Sequence, residues 1–222
     1  QAPGWHQWRG ANRDGHSLER GLLQSWPEGG PPLVWTASGA GIGFSSFSAS
    51  EGRLYTLGSR GGSEFVLAYD ASTGEPLWST AHGRRFDNEM GDGPRSTPTV
   101  VGDHLYVYGA RGDLTCLEAA TGRIVWTQNL LERFDGDRPH WGLSESPLIV
   151  GDRLLVNVGA RDGAIVALNR HDGSLLWRSQ GDGAAYASAV TQRIRGIETA
   201  VFFTAQRALG LVVEDGQLVW SY

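Results

Sequence analysis

The feature that most constrains this chain is a short phrase, Gly-x-x-x-Trp, that closes four successive segments of the sequence. Its tryptophans are Trp78, Trp126, Trp177 and Trp220, and a partial copy ends at Trp35. The copies recur at a spacing of about 40–50 residues, which is typical of propellers and solenoids. Such a chain is expected to stack similar small units in a row.

Within each repeat the apolar residues alternate with a period of two. Repeat two reads as three short runs, 96–101, 104–108 and 113–118, before the phrase that ends at Trp126. The runs are rich in β-branched and aromatic residues and are bounded by Gly and Asp, which indicates strands and hairpins. We therefore predict an all-β fold, a β-propeller whose blades are four-stranded antiparallel sheets.

The repeats divide the chain into an N-terminal lead-in, residues 1–43, and a propeller, residues 44–222. The lead-in includes a predicted orphan outer strand at 33–35. The four complete repeats predict four complete blades, which we expect to form part of a larger ring. A closed four-bladed ring is the alternative. The predicted blades span approximately 44–78, 95–126, 144–177 and 186–220.

Composition excludes several classes of partner and site. The chain has 222 residues, a net charge of −5 and no basic stripe, so binding to nucleic acid is disfavoured. No apolar run reaches the roughly 18 residues of a membrane helix. The single cysteine, Cys116, has no partner for an internal disulfide and is expected to be a small buried residue.

The repeats resemble the pyrroloquinoline-quinone (PQQ) type of β-propeller repeat in three respects. Their first strands begin like Ser96-Thr97-Pro98-Thr99-Val100, their first hairpins turn on Gly-Asp, and their last strands end in Thr-Gly-x-x-x-Trp. The lead-in phrase from Trp8 to Gly15, followed by Leu23–Trp26, is similar to that of exported bacterial members. The resemblance implies a periplasmic or extracellular protein. It also implies a ring of seven or eight blades, of which these four would be a part.

This superfamily includes quinoprotein alcohol dehydrogenases and an outer-membrane assembly lipoprotein, so the resemblance leaves two functions open. The first is a binding or protein-interaction scaffold with no catalytic residue and no metal site. The second is the N-terminal part of a PQQ-dependent alcohol or polyvinyl-alcohol dehydrogenase, with PQQ and calcium as cofactors implied by resemblance only. The dehydrogenases use an adjacent pair of cysteines, and a chain with one cysteine departs from that pattern. We therefore favour the scaffold.

A ligand site is predicted where the inner strands begin, because radial symmetry brings equivalent strand starts towards one axis. Four residues there, Arg95, Trp141, Glu145 and Tyr186, combine a cation, an anion and two aromatic rings. They would suit a small polar ligand or a protein partner at the propeller face. The competing interpretation is an ion pair between Arg95 and Glu145 that joins two blades.

Two connections between blades, 79–94 and 127–143, are unusually long, and long loops are often functional. Each contains the sequence Arg-Phe-Asp, at 85–87 and at 133–135. The simplest interpretation is that both loops are anchored to the same face by their phenylalanine. Acidic residues between 87 and 92 lack the spacing of a calcium-binding loop, so no metal site is predicted.

Overall fold

A computed structural model describes residues 4–222 and shows four separate four-stranded antiparallel sheets. In each sheet the strands follow one another in chain order, so every strand pairs with the one before it. The sixteen strands of the described residues are accompanied by one helix, α1, of five residues. The predicted all-β architecture is therefore confirmed.

Each sheet is one blade, and its first strand is the innermost. Blade 1 consists of β1 (Ser48–Ser50), β2 (Arg53–Arg60), β3 (Ser63–Asp70) and β4 (Pro76–Arg84). Blade 2 consists of β5 (Thr99–Val101), β6 (His104–Tyr108), β7 (Asp113–Glu118) and β8 (Ile124–Asn129), and α1 (Leu130–Phe134) follows it. Blade 3 consists of β9 (Leu148–Val150), β10 (Arg153–Asn157), β11 (Ile165–Asn169) and β12 (Leu175–Ser179). Blade 4 consists of β13 (Val190–Ile194), β14 (Ile197–Phe203), β15 (Ala208–Val212) and β16 (Leu218–Ser221).

The hydrophobic core lies at the three seams between consecutive blades. Strands β6 and β10 are buried on both faces because their sheets pack against a neighbour on each side. Within residues 4–222, no core cluster joins blade 4 to blade 1, so these four blades form an open array rather than a closed ring. Each seam holds one core cluster with members from both blades, such as Val66 and Leu105, Leu114 and Leu154, and Ile165 and Phe202.

The repeated tryptophans join each blade to the next. Four of the indole N–H groups donate a hydrogen bond to a backbone carbonyl in the outer hairpin of the following blade, and each of these bonds is 3.1 Å long. These half-buried indoles therefore cover the seams. The donor and acceptor pairs are Trp35 and Ala71, Trp78 and Ala119, Trp126 and Arg170, and Trp177 and Val213.

The glycine of each repeated phrase makes room for the tryptophan of the preceding blade. Gly122 has a φ of 73°, a left-handed conformation that favours glycine, and a Cβ atom at this position would overlap the Trp78 indole. Gly216 is placed in the same way against Trp177. The repeated phrase is therefore required both for a turn within one blade and for a contact with the tryptophan that precedes it.

Residues 33–35 differ from the prediction, since the structure places no strand there. All sixteen strands of the described residues belong to the four blades, and each of these blades already has an outer strand of its own. Leu33 and Val34 are exposed. Trp35 nevertheless packs on the turn of blade 1, at Gly74, in the manner of the later tryptophans.

The lead-in crosses the inner edges of the blades on the side where the inner hairpins turn. The backbone N–H of Ala49 in β1 donates to the carbonyl of Trp5 at 2.7 Å. The backbone N–H of Val100 in β5 donates to the carbonyl of His6 at 2.8 Å. Arg13 reaches the carbonyls at the start of blades 3 and 4. One short segment therefore contacts all four blades near the axis.

Candidate functional site

The four residues predicted as a ligand site lie near the starts of the inner strands, but they do not form one cluster. Trp141 and Tyr186 pack together at the surface, whereas Glu145 is only 2% exposed. Arg95 is held within the loop that precedes β5. The ligand site itself stays a prediction, and its accessible part is the aromatic pair.

The aromatic pair is fixed in place from two sides. The ring centroids of Trp141 and Tyr186 are 5.3 Å apart and the ring planes are tilted by 34°. The backbone N–H of Trp141 donates to the Tyr186 hydroxyl at 3.3 Å, and the Ser144 hydroxyl donates to the Tyr186 carbonyl at 2.9 Å. Since 47% of Trp141 and 42% of Tyr186 remain exposed, the pair presents a rigid apolar surface with polar edges.

Arg95 organises the first long loop. Its guanidinium donates to the carbonyls of Gly91, at 2.6 Å, and of Gly93. The same group lies between two aromatic rings, 5.3 Å from the centroid of Phe44 and 4.7 Å from that of Phe86. These contacts use the cation to hold the loop against the blade.

The competing interpretation, an ion pair between Arg95 and Glu145, is wrong, since no ion pair of the described residues joins them. Glu145 instead accepts a hydrogen bond from the backbone N–H of Asn157, in its own blade, at 2.7 Å. The two residues occupy adjacent positions in the aligned repeats, and adjacent side chains of an extended chain point to opposite sides. Burial raises the pKa of Glu145 to about 8, and its nearest opposite charge is Arg13.

Both long loops are anchored by the phenylalanine of their Arg-Phe-Asp sequence, as expected. Phe86 and Phe134 are buried, and each ring lies between two guanidinium groups. In the second loop the sequence forms α1, which the period-two pattern did not predict. Asn129 caps this helix by accepting the N–H of Glu132 at 3.0 Å.

A cleft of about 810 Å³ opens between the two long loops and the β6–β7 turn. Arg84, Arg111 and Arg138 line it, and within residues 4–222 none of their side chains takes part in an ion pair. Carboxylates share the cleft, and Asn129 donates to Asp113 there at 3.0 Å. The mixture of charges gives the cleft no clear preference for one sign of ligand.

A buried ionisable pair beneath the seam of blades 1 and 2 was not expected from the sequence. Glu64 on β3 and His82 on β4 lie 3.8 Å apart, Oε2 to Nε2, and both side chains are fully buried. Glu64 accepts the N–H of Ala110 from blade 2 at 3.4 Å. Burial raises the pKa of Glu64 to about 7 and lowers that of His82 to about 4.

Arg13 is the main residue that sequence reasoning missed. It is 4% exposed and its guanidinium donates to the carbonyls of Ser146, at 3.2 Å, of Ala189, at 2.7 Å, and of Pro147. Burial lowers the pKa of Arg13 to about 10, while the Glu145 carboxylate acts in the opposite direction. The only sequence signal was its place in the lead-in phrase from Trp8 to Gly15.

The described residues do not fit a resident calcium ion. Calcium takes 6–8 oxygen ligands, most of them carboxylates and carbonyls. Residues 4–222 contain no group of three or more His, Cys, Asp or Glu side chains that could hold a metal. The oxygen-rich position on the axis already holds the Arg13 cation, and Glu145 beside it carries a raised pKa.

The helical content of the described residues is too small for a membrane span. The helix α1 has five residues, far fewer than the roughly 20 that cross a bilayer, and no other helix occurs between residues 4 and 222.

Comparison with known proteins gives one family and two kinds of relative. The family model described as outer membrane protein assembly factor BamB matches residues 62–222. BamB of Yersinia pestis is 27% identical over 206 residues, which cover 86% of this chain and 48% of that protein. The quinoprotein alcohol dehydrogenase PedH of Pseudomonas putida is 28% identical over 138 residues, which cover 57% of this chain and 21% of the enzyme. The chain thus spans less than half the length of both relatives.

Solved structures share the fold at low sequence identity. The quinohemoprotein alcohol dehydrogenase of Comamonas testosteroni superposes with a TM-score of 0.71 at 18% identity, over 99% of this chain and 41% of that one. BamB of Moraxella catarrhalis superposes with a TM-score of 0.50 at 11% identity, over 86% and 63% of the two chains. These similarities confirm the β-propeller fold predicted from the repeats.

Proposed function

We propose a function from the premise that this chain belongs to the family described as outer membrane protein assembly factor BamB. It acts as a scaffold that binds another protein on the face carrying the long loops. The partner is a component of outer-membrane protein assembly, and the chain works in the periplasm or outside the cell. Membership of the family and the BamB relatives support this role.

The observation that carries the proposal is the exposed pair of Trp141 and Tyr186. Residues that dominate binding energy at protein interfaces are enriched in Trp, Tyr and Arg, and they are usually held rigidly. Both rings are about half exposed although each is fixed by hydrogen bonds and by the other ring. A surface that is already ordered loses little conformational entropy when a partner binds.

The proposal is tested with the purified full chain and two variants. The chain is used to capture proteins from its native cell envelope, and the captured component is then purified and titrated by calorimetry. If the aromatic pair is central to the interface, Trp141→Ala weakens binding by about 30-fold or more, which corresponds to at least 2 kcal/mol. Trp26→Ala, which removes a side chain that is 67% exposed in the lead-in, is the matched control.

Equal affinities for Trp141→Ala and Trp26→Ala would place the interface elsewhere on the molecule. The cleft lined by Arg84, Arg111 and Arg138 would then be the next surface to test. Captured proteins that belong to no outer-membrane assembly system would refute the proposed partner. Fractionation of cells that express the full-length gene product tests the location independently.

A second candidate is part of a PQQ-dependent alcohol or polyvinyl-alcohol dehydrogenase, which the similarity to PedH favours. This role requires that the propeller face bind the quinone. Adding PQQ and calcium to the purified chain tests it through quinone absorbance and tryptophan fluorescence. A saturable change in either signal would favour the dehydrogenase, whereas the scaffold predicts none.

A further inference from the structure

The guanidinium of Arg13 is surrounded by oxygen atoms. Arginine has five N–H donors in a planar fork. In this structure Nη1 donates to the carbonyls of Ser146 and Ala189, Nη2 donates to that of Pro147, and Nε donates to the side-chain oxygen of Gln7 at 2.9 Å. Three of the four acceptors are backbone carbonyls of residues that immediately precede the inner strands of blades 3 and 4. We refer to these three carbonyls, of Ser146, Pro147 and Ala189, as the axial cage.

The propeller builds the axial cage without help from the lead-in. The N–H of Thr97 donates to the Ser146 hydroxyl at 2.8 Å, and the N–H of Ser146 donates to the Ser188 hydroxyl at 2.9 Å. These bonds connect blades 2, 3 and 4 at their inner edges. The hydroxyl of Thr99 also donates to the Pro147 carbonyl, at 2.8 Å. The positions of the cage carbonyls are therefore set by contacts between blades.

The chemistry of the axial cage suits a planar cation. Its carbonyls diverge from two blades, so several N–H groups in one plane can reach them at once, whereas an ammonium is a compact point charge. The Glu145 carboxylate, when it is ionised, favours a cation there. The hydrogen bonds of the Arg13 guanidinium satisfy the three buried carbonyls together with a side-chain oxygen.

The lead-in adopts an unfavourable backbone conformation in order to deliver this group. Arg13 has a φ of 57° and Arg9 a φ of 58°, in the left-handed region that is unfavourable for a residue other than glycine. Such conformations persist only where the surrounding contacts outweigh them. For Arg13 those contacts include the four hydrogen bonds of its guanidinium.

We propose that the axial cage is a guanidinium-binding site, and that Arg13 of the lead-in is its tethered ligand. The ligand class is an alkylguanidinium, the end group of an arginine side chain. The site is distinct from the aromatic pair of Trp141 and Tyr186, and it does not depend on the scaffold function. A free alkylguanidinium should therefore enter the axial cage when the Arg13 side chain is removed.

The test is chemical rescue of the full chain carrying Arg13→Ala, followed by thermal unfolding. Methylguanidinium is added at millimolar concentration, well below the range in which guanidinium salts denature proteins. The Tm of Arg13→Ala is expected to rise with the added ion and to reach a plateau, recovering part of the Tm lost by the substitution. Wild-type protein, whose cage is filled, should show no such rise, and neither should Arg9→Ala, whose side chain lies over Trp8.

Tetramethylammonium at the same concentration is the control for charge alone, since it carries one positive charge but no N–H donor. It should therefore not rescue the variant. Rescue by both ions would show a nonspecific salt effect and would overturn the proposal. Absence of a saturable rise with methylguanidinium would also overturn it. If Arg13→Ala does not fold, Arg13→Met keeps most of the aliphatic stem without the charge, and the same measurement is made on that variant.

Discussion

At the scale of single residues, the ionisable groups buried near the axis and the seams are mostly kept neutral by their surroundings. Glu64 and His82 illustrate this, because burial moves their pKa values in opposite directions, to about 7 and about 4. In the unfolded chain near pH 5.5 the carboxyl is ionised and the imidazole is protonated. In the folded protein both groups are neutral, so folding leaves the number of bound protons unchanged.

This compensation predicts opposite pH dependences for two single variants. Glu64→Gln leaves His82, whose folded pKa is depressed, so stability should rise with pH between about 4 and 6.5. His82→Asn leaves Glu64, whose folded pKa is raised, so stability should fall as the pH increases from about 4.5 to 7. In each variant the slope of the unfolding free energy against pH approaches about 1.4 kcal/mol per pH unit. In the parent the contributions of Glu64 and His82 have opposite signs and cancel.

Urea unfolding at several pH values between 4 and 7 measures these slopes. The difference between each variant and the parent is the relevant quantity, because Arg95 and Asp113 also face Glu64 and are present in all three proteins. Parallel stability curves for the parent and both variants would show that the pair does not titrate as described.

Glu145 gives a simpler expectation. Its folded pKa is raised to about 8, so its contribution to stability is complete below about pH 4.5 and is lost as the pH rises through 8. Glu145→Gln resembles the protonated acid and still accepts the N–H of Asn157. The variant should match the parent near pH 5 and exceed it in stability at pH 9, as measured by urea unfolding. If the difference in stability between the variant and the parent is the same at pH 5 and at pH 9, the expectation is contradicted.

At the scale of elements, the outer hairpin of each blade is shaped by the blade before it. The glycine of the repeated phrase turns the chain and also leaves space for an indole. These two requirements can be separated within blade 2. Gly102 has a φ of 58° with open space around its Cα, whereas Gly122 has a φ of 73° and faces Trp78.

We expect Gly102→Ala to destabilise the protein by about 1 kcal/mol, the cost of a left-handed conformation. Gly122→Ala should cost roughly 1–3 kcal/mol more, because its new methyl group displaces the Trp78 indole. Urea unfolding of both variants measures the difference. Equal destabilisation would mean that the indole moves aside freely and that the glycine is needed only for its turn.

The strands and their blades could be predicted because period-two patterns and turn residues are local features of the sequence. The helix α1 was missed because five residues provide little more than one turn of periodicity. The alternative of an ion pair between Arg95 and Glu145 failed because the two residues occupy adjacent positions of the repeat, and adjacent side chains of an extended chain point to opposite sides. The role of Trp35 in the blade 1 contact was also missed, since it occurs without a strand.

At the scale of the whole molecule, the lead-in acts as a common fastening for the four blades. It accepts backbone hydrogen bonds from β1 and β5 and donates through Arg13 to blades 3 and 4. The sequence could not reveal this, because Arg13 and its acceptor Ala189 are 176 residues apart. No local pattern encodes a contact at that separation.

These contacts predict that the lead-in stays bound after the chain is cut. A site-specific protease sequence is inserted after Gly21, in an exposed stretch that contains no strand. After cleavage, the N-terminal fragment should co-elute with the propeller in gel filtration under native conditions. The same cut in a chain carrying Arg13→Met should release more of the fragment. Complete release from the parent would show that the lead-in contacts are too weak to hold it.

The position of Arg13 also sets an order of events during biosynthesis. Arg13 leaves the ribosome among the earliest residues of the segment described here, yet one of its acceptors is the carbonyl of Ala189. Its guanidinium therefore lacks a complete set of acceptors until the start of blade 4 has been synthesised and placed. A residue made before all four blades is thus held in position only when the last of them forms.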